Sequence, residues 1–219
     1  YTVKKFPSFP LFSMRSKSTL QTEKKIRWQE NLLFFRRWLK HPLQMGTLAP
    51  ITPRLAHLAA SFLPNSHEKL VVEIGAGTGR LTRVLLGQGV KPENLAVVEL
   101  DPFCCAFLQK TLPTILKHGQ PLPTIIEGDA TKLVDLLPHQ FVGQVDTVFS
   151  VIPLMYLSPL ARQNLMNAAF QVLKPGGSII HITYSLQSPL RFMTHIKQHR
   201  QGQLWLNMPP GFIWHYQQG

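Results

Sequence analysis

The stretch Leu70–Thr82, L-V-V-E-I-G-A-G-T-G-R-L-T, restricts the fold more than any other part of the chain. Leu70, Val71, Val72 and Ile74 form the short apolar run expected of a parallel strand buried on both faces. Gly75, Gly77 and Gly79 follow at alternate positions, where a missing Cβ lets the backbone turn sharply and approach a ligand. From Leu81 onward the apolar positions Leu81, Val84 and Leu85 take helical spacing. Strand, glycine turn and helix start predict a βα unit whose unpaired N–H groups face a polar or charged ligand. The spacing is G-x-G-x-G with Glu73 two residues ahead, not the G-x-G-x-x-G of a dinucleotide site. No Lys and Ser/Thr follow the last glycine, as a phosphate-binding loop requires.

The rest of the chain alternates in the same way. Leu95–Leu100 predicts a second strand, ending in Glu99, an acid placed to accept hydrogen bonds from the two hydroxyls of a ribose. Asp101 predicts the N-cap of a helix over 102–117. Pro123–Glu127 predicts the third strand, and Asp129, in Gly128-Asp129-Ala130, the cap of a helix over 131–137. Val145–Ser150 predicts the fourth strand. The segment Ser150-Val151-Ile152-Pro153-Leu154 follows it, at the end of the sheet where open α/β folds place a second substrate. Pro153 removes a donor and fixes the backbone, so carbonyls near it can face an amine. A helix over 160–173, a tight turn at Lys174–Gly177 and a fifth strand at Ser178–Tyr184 come next. Leu204–Leu206 and Phe212–Tyr216 predict a closing antiparallel pair around Pro209-Pro210-Gly211. The expected fold class is α/β, an open sheet of about seven strands. Upstream, Thr52 predicts an N-cap and Pro53 the first helical residue, with Leu55, Leu58, Ala59 and Phe62 on an apolar face that can pack over the glycine loop. His57 is expected at a surface or boundary.

Charge is distributed unevenly. Of the net +12, residues 1–57 hold 11 Lys/Arg against 2 Glu, and the remaining residues hold 12 against 9 acids. A basic arm on a near-neutral domain suggests an anionic partner, a membrane surface or a nucleic acid. Residues 1–21 read as an irregular arm and residues 22–41 as a helix ended by Pro42. Trp28, Leu32, Phe35 and Leu39 fall on one face, widened by Phe34 and Trp38, while Lys25, Arg36, Arg37 and Lys40 lie away from it. Aromatic residues opposite basic ones suit a helix lying in a membrane interface; docking of the same face on the chain's own domain is the alternative. No apolar run reaches the roughly 18 residues that span a bilayer. The two cysteines, Cys104 and Cys105, are adjacent, which argues for reduced thiols rather than a disulfide framework. The nine histidines show no metal-ligand spacing, so no metal is expected.

The motif E-I-G-A-G-T-G resembles the first motif of the class I S-adenosylmethionine (SAM)-dependent methyltransferases, E/D-x-G-x-G-x-G. From about Phe34 to Tyr216 the chain is similar to the bacterial phospholipid N-methyltransferases. The stretches R-R-W-L-K-H-P-L-Q-M-G-T-L-A-P, V-V-E-L-D-P-F, G-D-A, L-K-P-G-G and N-M-P-P-G-F carry that resemblance. It implies a Rossmann-like seven-stranded methyltransferase domain over 42–219, preceded by a basic arm and amphipathic membrane-binding helix over 1–41. The implied activity is SAM-dependent methylation of phosphatidylethanolamine, up to phosphatidylcholine, with S-adenosylhomocysteine as product. The implied location is cytoplasmic, peripheral on the inner face of a bacterial membrane, with an anionic membrane surface as partner and no nucleic acid. SAM would be held by Glu73, Gly75, Ala76, Gly77 and Gly79, by Glu99 and Leu100, and by Asp129, Ala130 and Ser150. Ser150, Ile152 and Pro153 would line the acceptor, with Tyr184 the first catalytic candidate and Tyr156 and His181 behind it. The family usually has S-G-L-P where this chain has Ser150-Val151-Ile152-Pro153, and often Gln where it has His181. E-I-G-A-G-T-G-R-L-T is also similar to the ribosomal RNA adenine dimethyltransferases. That family carries N-x-P-F/Y after strand four, and Ser150-Val151-Ile152-Pro153-Leu154 lacks both the Asn and the aromatic. A methyltransferase fold kept as a non-catalytic binding module is a third alternative; the intact Glu73, Glu99 and Asp129 argue against it.

Overall fold

A computed structural model describes residues 51–63, 65–207 and 209–219. The expected helix over 22–41, with Lys25, Trp28, Leu32, Phe35, Arg36, Arg37, Trp38 and Lys40, lies outside the described residues.

Four short apolar runs become parallel strands: β1 (Val71–Ile74), β2 (Leu95–Glu99), β3 (Thr124–Glu127) and β4 (Val145–Ser150). With β5 (Leu173–Thr183), β6 (Ile196–Leu204) and β7 (Gly211–Gln218) they make one seven-stranded sheet in the order β3-β2-β1-β4-β5-β7-β6. β7 runs antiparallel to both neighbours, and every other pairing is parallel. Chain direction reverses its progress across the sheet between β1 and β4, so the crevice at their C-terminal ends is the expected ligand site.

Helices cover both faces. α1 (Pro53–Ala60), α2 (Arg80–Gly87) and α3 (Pro102–Thr111) pack on one side around Leu55, Leu81, Leu85 and Leu108, all fully buried. The short α4 (Leu133–Leu136) and the longer α5 (Pro159–Val172) cover the other, around Leu133, Phe141, Met166 and Tyr216. The caps follow the sequence. The Thr52 side chain accepts from Leu55 N with Pro53 next, Asp101 accepts from Phe103 N, and Asp129 accepts from Thr131 N. α1 lies beside α2, and Arg80, the residue after the glycine loop, donates from Nη1 to the Ile51 carbonyl at 2.8 Å. His57 is exposed.

The structure corrects the expected elements in four places. The helix from Pro102 stops at Thr111, not 117, because Pro113 has no N–H to continue the ladder and the chain tightens into a 3-10 turn over Leu112–Thr114. The helix after Asp129 is a 3-10 turn, Ala130–Lys132, leading into the four-residue α4. Lys174–Gly177 is not a turn ahead of strand five but a bulge within it. The β4 register jumps there from Val145↔Leu173 to Thr147↔Ser178, and Gly176 takes φ +77°. Finally, β6 is Ile196–Leu204 rather than 204–206. Its polar run K-Q-H-R-Q-G-Q carries no apolar alternation because β6 is an edge strand with a wet face.

Candidate active site at the β1–β4 crevice

Three glycines with positive φ connect β1 to α2: Gly75 (+75°), Gly77 (+56°) and Gly79 (+78°). They serve different ends. A Cβ on Gly75 would sit 2.6 Å from Ile152 Cγ1, and one on Gly79 would sit 2.2 Å from Leu108 Cδ2. These two permit close packing of the loop against the β4 loop and α3. A Cβ on Gly77 would meet nothing within 4 Å, so the middle of the loop opens onto free space. Arg83 Nη1 donates to the Thr78 carbonyl at 2.9 Å and pins the loop from below.

Glu73 lies beneath this loop with no exposure at all. Its Oε2 accepts from Thr82 Oγ1 at 2.6 Å, and its Oε1 has no hydrogen-bond partner among the described residues. Burial pushes its carboxyl up to about 7, and the charge of Glu99 adds to the rise. Glu99, at the end of β2, ties the loop from the side. Its Oε2 accepts from Gly77 N at 2.6 Å and its Oε1 from Asp101 N at 2.9 Å. Burial raises its pKa as well, against those two bonds. Each oxygen retains a second lone pair for a ligand hydroxyl. Beyond it, Leu100 is 68% exposed and Asp129 is exposed, whereas Ala76 and Ala130 are buried in the loop floors. The structure therefore brings Glu99, Leu100, Gly77 and Asp129 to one rim, and sets Glu73 under it.

On the other side of the crevice, Ser150 ends β4 fully buried. Its carbonyl and its Oγ both lie 3.2 Å from His181 Nδ1 on β5. His181 is completely buried, Nε2 has no partner among the described residues, and burial drives its pKa down to about 4. It is a neutral core imidazole. Pro153 (φ −75°, ψ 77°) forms an inverse γ-turn in which the Ile152 carbonyl accepts from Leu154 N at 2.8 Å. The Pro153 carbonyl accepts from Tyr156 N at 3.1 Å. Both carbonyls expected to face an amine thus already carry one backbone bond, leaving one lone pair each. Tyr156 is 69% exposed on the outer lip.

Tyr184, just past β5, is half-buried. Burial raises its pKa, opposed by the nearby Arg80 charge and by a hydrogen bond with Asn207. Asn207 is the residue to which sequence reasoning gave no site role. It is buried, its Nδ2 donates to the Pro209 carbonyl at 2.6 Å, and its Oδ1 accepts from Thr52 Oγ1. One amide thereby joins the β6–β7 turn, the start of α1 and Tyr184. N-M-P-P counted in the sequence as part of the family resemblance, with no role given to its Asn; only a long-range contact shows what the Asn holds.

A methyltransferase-domain family model matches residues 71–177. The chain is 30% identical over 152 residues to the ornithine lipid N-methyltransferase of Singulisphaera acidiphila, covering 69% of this chain and 76% of that one. This chain belongs to the class I SAM-dependent methyltransferases, in the same family as that enzyme. The small-subunit ribosomal RNA methyltransferase A of a Synechococcus strain is 36% identical over 100 residues, but those cover only 30% of its length. Among solved structures, the SAM-bound magnesium protoporphyrin IX methyltransferase of Synechocystis superposes with a TM-score of 0.63 at 14% identity, over 90% of this chain and 97% of that one. That likeness shows the shared fold.

SAM is the methyltransferase's cofactor, and the crevice fits it. The open space at Gly77 admits a ligand against bare backbone, and the Glu99 oxygens lie at the end of β2 with lone pairs to spare. Glu73 Oε1, buried and unpartnered among the described residues, leaves a hydrogen-bonding atom below the loop for a ligand bearing an ammonium. The described residues hold no group of three or more His, Cys, Asp or Glu that could bind a metal. No described helix is long and apolar enough to cross a membrane.

Proposed function

We propose that this methyltransferase methylates the headgroup amine of an amino lipid at a membrane surface, with phosphatidylethanolamine and its mono- and dimethyl forms as acceptors and phosphatidylcholine as the end product. The alignment with a lipid N-methyltransferase over 76% of its length carries the reading. That relative also supports a second acceptor, an ornithine lipid, which likewise presents an amine.

Bound SAM supplies an electrophilic methyl group on a sulfonium. Glu99 would hold the ribose and Leu100 and Asp129 the adenine side, leaving the reacting end beside Ser150. The loop after β4 would then receive the amine. Val151 and Ile152 would desolvate it and favour its neutral, nucleophilic form. The remaining lone pairs of the Ile152 and Pro153 carbonyls would take its N–H bonds. Tyr184, whose raised pKa keeps it a neutral phenol, would offer a hydroxyl to the same amine and an aromatic face to a quaternary product. Much of the rate would come from holding two substrates in line. The basic helix expected over 22–41 would keep the enzyme peripheral on the inner face of a bacterial membrane.

Ribosomal RNA methylation is the competing activity. The RNA-modifying relative aligns over less than a third of its length, and the loop after β4 lacks the Asn and the aromatic that grip a flipped adenine. The test is to incubate the enzyme with methyl-labelled SAM and vesicles containing phosphatidylethanolamine or an ornithine lipid, beside small-subunit ribosomal RNA. Label in methylated phosphatidylethanolamine supports the proposal, and label confined to the ornithine lipid reassigns the acceptor. Label in RNA and in neither lipid refutes lipid methylation.

A further inference from the structure

Exposed apolar side chains crowd one end of the sheet. At the C-terminal ends of β4 and β5 stand Met155, Tyr156, Leu160 and Leu186, and at the turn between β6 and β7 stand Trp205 and Leu206. Leu206 is 87% exposed and Trp205 57%. This is the end at which the acceptor side of the crevice opens, because β6 ends level with β5 across β7. The same part of the chain is free of acids. From residue 147 to 219 there is no Asp or Glu, while Arg162, Lys174, Arg191, Lys197 and Arg200 all fall there. Arg200 is exposed on β6 below the turn, whereas Lys197 opposes Gln217 at the far end of the strand and Lys174 pairs with Asp146.

We propose that the β6–β7 turn, Trp205–Leu206, inserts into an anionic lipid surface and seats the acceptor side of the crevice on the bilayer, a proposal that rests on lipid methylation as the enzyme's activity. Trp is suited to the headgroup boundary and leucine to the acyl region, while the neighbouring Arg200 guanidinium can meet a lipid phosphate. The turn is held to the strands below it. Trp205 meets Phe212 edge-on at 5.5 Å, and the Arg200 guanidinium lies 6.0 Å from the centre of the same ring. The next residue is Asn207, which bonds Tyr184, Thr52 and Pro209. Lipid contact at 205–206 is therefore one residue away from the amide that positions Tyr184. A nucleic acid would be met equally by the positive charge, but a leucine almost wholly in water gains nothing from phosphates and gains by burial in hydrocarbon.

The test uses the full chain with Trp28, Trp38 and Trp214 changed to Phe, so that Trp205 alone reports. Vesicles of phosphatidylcholine with and without phosphatidylglycerol are titrated in, with bromine on the acyl chains. The expected result is a blue shift and bromine quenching of Trp205 that strengthen with phosphatidylglycerol. Leu206→Asp should weaken sedimentation with these vesicles by roughly ten- to a hundredfold, the factor for losing one buried leucine. The same variant should bind SAM normally, which shows that it folds. It should also keep its kcat on a short-chain amino lipid dispersed as monomers. If vesicles pull down the protein while Trp205 emission stays unmoved, the proposal is overturned. It is equally overturned if RNA, and not lipid, shifts the emission. If Trp205 is quenched but no amino lipid, monomeric or in vesicles, is methylated, the insertion stands and the lipid-substrate assignment is what fails.

Discussion

At the scale of single residues, two buried titratable groups pull stability in opposite directions as pH changes. Burial holds the Glu73 carboxyl at about 7 in the folded state against an ordinary 4.5, so the folded state keeps its proton longer. Its contribution is greatest below the lower value and is lost as pH rises toward 7. His181, at about 4 against 6.5, does the reverse: the folded state resists protonation, and stability falls as pH drops through that window. Denaturant unfolding at a series of pH values should therefore change slope in each single variant. Glu73→Gln should remove a decline on the order of 2–3 kcal/mol between about pH 5 and pH 8. His181→Gln should remove the loss on the acid side. If neither slope changes, these carboxyl and imidazole assignments are wrong. The Asn207 amide gives a third expectation. Asn207→Ala strands the Thr52 hydroxyl and frees Tyr184, so unfolding should show a loss of about 1–3 kcal/mol and kcat should fall. Tyr184→Phe removes only the hydroxyl, leaves stability within about 1 kcal/mol, and should lower kcat/KM about tenfold or more in a methyl-transfer assay.

Among the elements, the glycine loop separates packing from binding. Gly77→Ala places a methyl group in open space at a positive φ, a backbone cost of about 1 kcal/mol. That methyl occupies the ligand's approach, so calorimetry should show SAM affinity falling much further than the melting temperature. Gly79→Ala drives the same group to 2.2 Å from Leu108, inside the contact between the loop and α3. It should cost stability first, by roughly 2–4 kcal/mol, with melting temperature as the readout. Equal losses of stability in the two variants would contradict the division. All three glycines were legible as a turn. Which one opens onto free space was not, because that depends on Ile152 and Leu108, brought in from the loop after β4 and from α3. Edge strand β6 was misplaced for a related reason: an element with one face in water needs no apolar repeat to form once β7 supplies its hydrogen bonds.

For the molecule as a whole, the crevice lies between two halves of a sheet that folds as one unit, so a ligand bound across it stabilises both. SAM at a hundredfold excess over its Kd should stabilise the fold by about 2.7 kcal/mol, seen as a rise of several degrees in melting temperature. A protein that melts unchanged with SAM present would contradict cofactor binding at Gly77 and Glu99. Charge is divided at the same scale, with every acid in residues 1–146 and only cations beyond. Attraction to anionic vesicles through this surface should weaken as salt is raised past the point where the Debye length falls under about 10 Å.

Much of this protein is written locally. The buried parallel strands, the caps at Thr52, Asp101 and Asp129, and the turn at Gly75–Gly79 follow from residue type and short spacing, because each depends on neighbours within a few positions. The open seven-stranded α/β sheet with a closing antiparallel pair follows from the alternation of strands and helices, while the strand order and the crevice between β1 and β4 came from the structure. Tertiary structure alone decided what each site residue meets. It put Glu73 under the loop with one oxygen unpartnered, made His181 a neutral core imidazole, and closed the Ile152 carbonyl into a γ-turn. It also drew Asn207 from the C-terminal turn to Thr52, 155 residues away. Burial and hydrogen-bond partners are properties of segments meeting across the sheet, and no spacing within one segment encodes them.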